Sequence, residues 1–185
     1  MPKFKNKQNE VIVLNKGKKD ERTIWLSRSV AIVAHVWFLV DGIYYVLLGK
    51  RGPHGDKPGL INIPCGYLDY NENLKQAMFR EVWEETALDL SKYDSKKMLD
   101  YTKQPWHVYS EPDENRQNVA MHMAIIIADD KLPKVSIKNC EVGESLEAFW
   151  KPYSEALSIP EKDWAFNHDK KMSHFYRKMF HDFNY

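Results

Sequence analysis

The sequence predicts a mixed α/β domain, and three observations carry that expectation. An apolar run rich in β-branched and aromatic residues spans Val30 to Val40, an Asp41-Gly42 pair turns it back on a second apolar run, and residues 72–87 show helical periodicity. Strands first, then a helix, then further strands and helices indicate a sheet with helices packed on it.

Taken in order, Val11 to Leu14 reads as a short strand. Val30 to Val40 reads as a strand covered on both faces, since its apolar residues do not alternate with polar ones. Ile43 to Leu48 is its hairpin partner, and Lys50 to Gly59 is a loop rich in Gly and Pro. Asn62-Ile63-Pro64-Cys65-Gly66 leads to a helix over about 72–87, with Asn71 or Asn73 as its N-cap. Val119 to Ala128 is a second buried strand and Glu147 to Trp150 a short one. Residues from about 163 to 183 read as a helix, with Trp164, Phe175, Met179 and Phe183 facing inward.

Composition narrows the function. The chain has 185 residues, 43% hydrophobic and 29% charged, enough for one domain, 1–185, with a substantial core. Its net charge of +1 argues against a strongly basic nucleic-acid binder. Two cysteines, Cys65 and Cys140, supply neither a disulfide framework nor a zinc cluster, and a reducing cytoplasmic setting suits them. The longest apolar run is too short to span a bilayer as a helix, so no membrane partner is expected. Charge is uneven, however. Residues 1–28 hold eight Lys and Arg against three acids, a balance of +5; residues 66–90 hold six acids against two bases, a balance of −4.

That acidic centre has a shape. On a helical wheel Glu81 and Glu85 lie about 20° either side of Leu74, among Ala77, Met78 and Val82, with Glu84 at the margin of the stripe. The acids therefore point inward. Three like charges near a helix C-terminus repel one another and oppose the macrodipole, and Arg80 alone does not neutralise them. A hard divalent cation with oxygen ligands would.

The stretch Gly66, Glu72, Arg80-Glu81-Val82, Glu84-Glu85 and Ala87-Leu88 resembles the Nudix box, G-x5-E-x7-R-E-U-x-E-E-x-G-U, with U aliphatic. Ala87 stands where the motif ends in glycine, and Cys65 where Pro-Gly-Gly is usual; Cys65 reads as a small buried residue rather than a nucleophile. The resemblance implies a Nudix-type α/β/α sandwich around a mixed β-sheet, and hydrolysis of a nucleoside diphosphate linked to another group by water attack on phosphorus.

On that resemblance Glu81, Glu84, Glu85 and the Gly66 carbonyl are metal ligands for Mg²⁺ or Mn²⁺, and Arg80 and Glu72 orient the carboxylates. Families of this kind take the general base either from the box, where Glu81 and Glu84 stand, or from a later loop, where Glu144 is the candidate and a further metal ligand, with Glu141 behind it. Arg51, Lys50 and Arg28 are candidates for the phosphate oxygens. Trp106 and Tyr109 are candidates to stack a base, although Gln104-Pro105-Trp106 matches only the start of the motif of the NADH-cleaving branch. His35 and His122, inside apolar strands, read as core histidines. The partner is a small nucleotide such as ADP-ribose, a dinucleotide or an NTP; an RNA 5′ end, for which the basic N-terminal segment is the support, a non-catalytic ligand-sensing domain and a homodimer are the alternatives.

Overall fold

The computed structural model describes residues 10–112 and 117–182. Residues 1–9 of the basic N-terminal segment and Phe183 lie outside them.

A mixed eight-stranded sheet forms the centre. Its long strands are β3 (Val30–Val40), β4 (Ile43–Arg51), β9 (Val119–Ala128) and β10 (Ser145–Pro152), with β7 (Lys97–Tyr101) at one edge, in the order β10-β4-β3-β9-β7. Three short strands pair onto these: β5 (Ile61–Asn62) on β4, β6 (Cys65–Tyr67) on β3 and β8 (His107–Tyr109) on β9. β3 and β9 run parallel through ten residue pairs, Val30 with Val119 to Leu39 with Ala128. β1 (Glu10–Leu14) and β2 (Arg22–Leu26) form a separate antiparallel hairpin.

The β3–β4 turn is as expected: Asp41 and Gly42 take φ of 50° and 76°, the paired positive angles of a type I′ turn. β4 continues beyond Leu48 because Lys50 and Arg51 pair with β10 and Lys50 also with β5. Of the short strands, β2 and β5 to β8 carry too little periodicity of their own and exist through their partners.

Helix α1 (Leu74–Thr86) begins at Asn73, whose side chain accepts from the Gln76 N–H while the Gln76 side chain accepts from the Asn73 N–H. It ends at Ala87, at φ 55° and ψ 17°, whose N–H donates to the Trp83 carbonyl. Alanine thus adopts the left-handed cap that the motif assigns to glycine. The last long helix, α3 (His168–Asp182), starts five residues later than expected, because Phe166 and Asn167 both take positive φ and break the chain direction. A single turn, α2 (Tyr153–Ala156), follows β10.

Helices cover both faces of the sheet. Ile32, Ala34, Val36 and Phe38 of β3 pack with Ala77, Met78 and Val82 of α1. The intervening Val33 and Trp37 face Met172, Phe175 and Met179 of α3. This alternation is why β3 is apolar throughout, and the result is an α/β/α sandwich.

Candidate active site

Glu81 and Glu85, one helical turn apart on α1, are 7% and 4% exposed, while Glu84 sits at the rim. Arg80 organises them. Its Nη1 donates to Glu81 Oε1 at 2.7 Å and to Glu84 Oε2 at 2.9 Å, its Nε and Nη2 grip both oxygens of Glu72, and Nη2 also reaches the Tyr67 carbonyl at 2.8 Å. Glu72 in turn accepts from the Asp69 N–H. This fork pins α1 to the segment that leads into it. Among the described residues no three His, Cys, Asp or Glu side chains converge on one point at metal-ligand distance. Glu81 and Glu84 converge on Arg80 Nη1.

Strand β6 supplies the opposing wall. The Cys65 N–H donates to Glu85 Oε1 at 3.3 Å, and Glu85 Oε2 is buried without a hydrogen-bond partner. A Cβ on Gly66 would fall 2.2 Å from both carboxylate oxygens of Glu81, so glycine is required there for reasons of space. Burial, reinforced by like charge, pushes Glu81 up to about 7 and Glu85 up to about 8. Burial and the Glu85 charge push the Cys65 thiol up to about 12, in keeping with a buried residue and not a nucleophile.

A loop from β10 closes the third side. The Gly52 N–H donates to the Glu144 carbonyl at 2.7 Å and the His54 N–H to the Gly143 carbonyl at 2.9 Å, with Gly143 at φ 82° against the His54 ring. These bonds bring Glu144 close enough for its charge to raise both Glu81 and Glu85. Glu144 also lies beside the Cys140 thiol, 3.4 Å from its Oε2.

Three features here fit a hard divalent cation: two buried carboxylates one turn apart, an orphaned carboxylate oxygen, and a glycine whose missing side chain lets the Glu81 carboxylate come close to its backbone. Glu81, Glu85, Glu84 and the Gly66 carbonyl are the groups able to hold it.

A cleft of about 440 Å³ adjoins this cluster: Cys65, Gly66 and Glu144 line it together with Tyr109, His122 and the start of α3, while Glu81, Glu84 and Glu85 lie behind that lining and not on it. Arg51 lines it, its guanidinium 5.1 Å from the centre of the Phe166 ring and its Nε bonded to the Asp56 carbonyl. Of the other candidates from the sequence, Lys50, Arg28 and Trp106 fall elsewhere. Lys50, the next residue along β4, is exposed and away from the cleft, as strand alternation requires. Arg28 is spent on backbone, donating to the carbonyls of Ser110, Gln117 and Asn118, and so anchors the chain leading into β9. Trp106 is 8% exposed and packs against His35, His122 and Phe175 in the core, so it presents no face for stacking a base. Tyr109 does line the cleft, with Lys171 Nζ 4.6 Å from its ring centre. Glu141 does not.

Several cleft residues escaped the sequence reading. Phe166, Asn167, His168, Lys170 and Lys171 arrive from the far end of the chain, and His122, read as a core histidine, borders the cleft while 3% exposed. The positive-φ pair before α3 carried no Gly to betray it.

The NUDIX domain family profile matches residues 29–177. This chain belongs to the Nudix family. No curated protein matches the sequence significantly, whereas 366 solved chains match in structure. The NUDIX domain of Shewanella oneidensis NrtR, complexed with ADP ribose, is 18% identical, with a TM-score of 0.59 over 83% of this chain and 89% of that one. A bifunctional NMN adenylyltransferase/ADP ribose pyrophosphatase from Francisella tularensis, complexed with AMP and a manganese ion, is also 18% identical, with a TM-score of 0.61 over 82% of this chain and 42% of that one. A C. elegans Ap4A hydrolase is 16% identical, with a TM-score of 0.54 over 81% and 98%. At these identities the structural likeness establishes the fold; the profile establishes the family. The protein is a pyrophosphohydrolase of the Nudix type, a family that typically uses divalent metals, and the acid cluster is its Nudix box. No helix among the described residues is long and apolar enough to cross a membrane.

Proposed function

We propose that this Nudix protein hydrolyses the pyrophosphate of a small nucleoside diphosphate derivative, with Mg²⁺ or Mn²⁺ held by Glu81, Glu84, Glu85 and the Gly66 carbonyl. The observation that carries this reading is the buried pair Glu81 and Glu85 against Cys65 and Gly66, which line the adjoining cleft, with one Glu85 oxygen left unpartnered. When bound, the cation supplies the positive charge that offsets the phosphate oxygens.

The chain's own residues do the rest. Arg80 and Glu72 hold the carboxylates in place, since each Arg80 nitrogen is already bonded within the cluster. Arg51, braced by Phe166 and the Asp56 carbonyl, offers its remaining N–H groups to phosphate oxygens. Glu144, on the loop facing the box, accepts the proton of the attacking water. The ADP ribose and AMP carried by the solved relatives support an adenosine-type substrate.

A panel of ADP-ribose, Ap4A, ATP, NADH and 5′-triphosphorylated RNA, incubated with Mg²⁺, Mn²⁺ or EDTA, tests this. Metal-dependent release of mononucleotide from a free nucleotide is expected, and Glu84→Gln should abolish it. Turnover of none of them, or turnover indifferent to EDTA, overturns the reading; turnover of the RNA alone replaces the small nucleotide with an RNA end.

A further inference from the structure

Beneath the cleft lies a group of imidazoles that the hydrolytic mechanism leaves unused. Cys65, Val33 and His122 are neighbours in register across β6, β3 and β9, and all three line the cleft. Two strand spacings put His122 about 10 Å from the Cys65 end of the acid cluster. Nδ1 of His122 is 3.1 Å from Nε2 of His35, which is wholly buried one alternation further along β3.

One proton lies between these two nitrogens, and the surroundings decide whose it is. The other nitrogen of His35, Nδ1, has no partner. Neither has the indole N–H of Trp106, whose ring stands edge-on to His35 with centroids 5.2 Å apart. A proton on His35 Nδ1 would add a second orphaned donor to this dry corner, whereas a bare ring nitrogen is the cheaper group to leave unpaired. His35 therefore carries its proton on Nε2 and donates it to His122 Nδ1, which leaves the His122 proton on Nε2, the remaining nitrogen. Both rings are neutral: burial above all, with Lys171 nearby adding to it, holds them below the usual imidazole range, and neither ring is hydrogen-bonded to a carboxylate among the described residues.

We propose that the Nε2–H of His122 is a fixed, uncharged hydrogen-bond donor in the cleft floor that reads an uncharged acceptor on the nucleoside end of the substrate, with His35 as the positioning residue that sets its tautomer. The position suits that end, because the charged phosphates would be drawn to Arg51 and to the cation that the acid cluster would hold. Tyr109, on β8 beside His107, adds an aromatic ring to the same stretch of cleft. The tautomer stands on the geometry and burial of the pair, independent of any turnover; the substrate contact rests on the hydrolase reading above.

Nitrogen-15 NMR of the imidazoles in the wild-type protein at neutral pH tests the first part without any turnover. Protons on Nε2 of both His35 and His122 are expected; a proton on His122 Nδ1, or a doubly protonated ring, overturns it. Addition of AMP should shift the His122 Nε2 resonance, and its failure to do so while Arg51 responds overturns the contact. In steady-state hydrolysis of ADP-ribose, His122→Phe should raise KM about tenfold with kcat little changed, and His122→Gln, which keeps an N–H near the same point, should recover most of the loss. Equal KM values for the two variants with unchanged melting would remove the donor role. Should the wild type hydrolyse nothing, the NMR result still decides the tautomer and the AMP titration the contact.

Discussion

Gly66 and Glu81 leave no room for a side chain between them: a Cβ at residue 66 would lie 2.2 Å from both Glu81 oxygens. Gly66→Ala is therefore expected to displace the Glu81 carboxylate and lower kcat/KM by about 10- to 100-fold, the usual cost of disturbing the support of a metal site. Hydrolysis assays alongside thermal melting separate this from a folding defect, since the displaced group lies at the edge of the core.

Arg80 and Glu72 form a two-pronged pair that lysine cannot reproduce. Arg80→Lys keeps the charge but loses the simultaneous bonds to Glu72, Glu81, Glu84 and the Tyr67 carbonyl. Activity should fall about 10- to 100-fold. Wild-type kcat/KM in Arg80→Lys would show that charge alone suffices at this position.

Metal binding should appear in stability as well as in rate. At a free Mg²⁺ concentration 100 times its Kd, the folded state gains about 2.7 kcal/mol, or about 5–10 °C in Tm for a domain of this size. Differential scanning fluorimetry should show that rise for the wild type and none for Glu81→Gln.

Ala87 bears the strain of a left-handed cap. Ala87→Gly removes the Cβ clash at φ 55° and should stabilise the fold by about 1 kcal/mol, read from urea unfolding. The same change elsewhere in a helix would destabilise by a similar amount, so the sign identifies the cap.

His35 and His122 give a pH signature. Each has its folded-state pKa lowered from the ordinary 6.5, chiefly by burial, so the unfolded chain binds protons that the native state refuses. Their contribution is intact above pH 6.5 and is lost as pH falls, by about 1.4 kcal/mol per pH unit for each ring. Glu81 and Glu85, raised by burial, act in the opposite direction, equally in the wild type and in a variant at residue 122, and cancel in a comparison of the two. Relative to wild type, His122→Gln should therefore gain stability steadily between pH 6 and pH 5 in urea titrations. A difference independent of pH would mean that His122 titrates normally.

What the sequence determined by itself was whatever neighbours in the chain can decide: the Asp41-Gly42 turn, the both-sided burial of β3, and an α1 whose spacing aims Glu81 and Glu85 inward. Those features depend on contacts one to four residues apart, and periodicity records them. Strand order decided the remainder. It buried Trp106, turned Arg28 to backbone carbonyls, drew Glu144 up to the box and set His122 beside His35, 87 residues apart. Such meetings cost loop closure and are stabilised only by the whole packed sheet, so no local pattern announces them. The acids of the box were legible because they lie on one helix, and the cleft beside them was not, because seven stretches of chain, from Ala31 to Lys171, have to assemble before it exists.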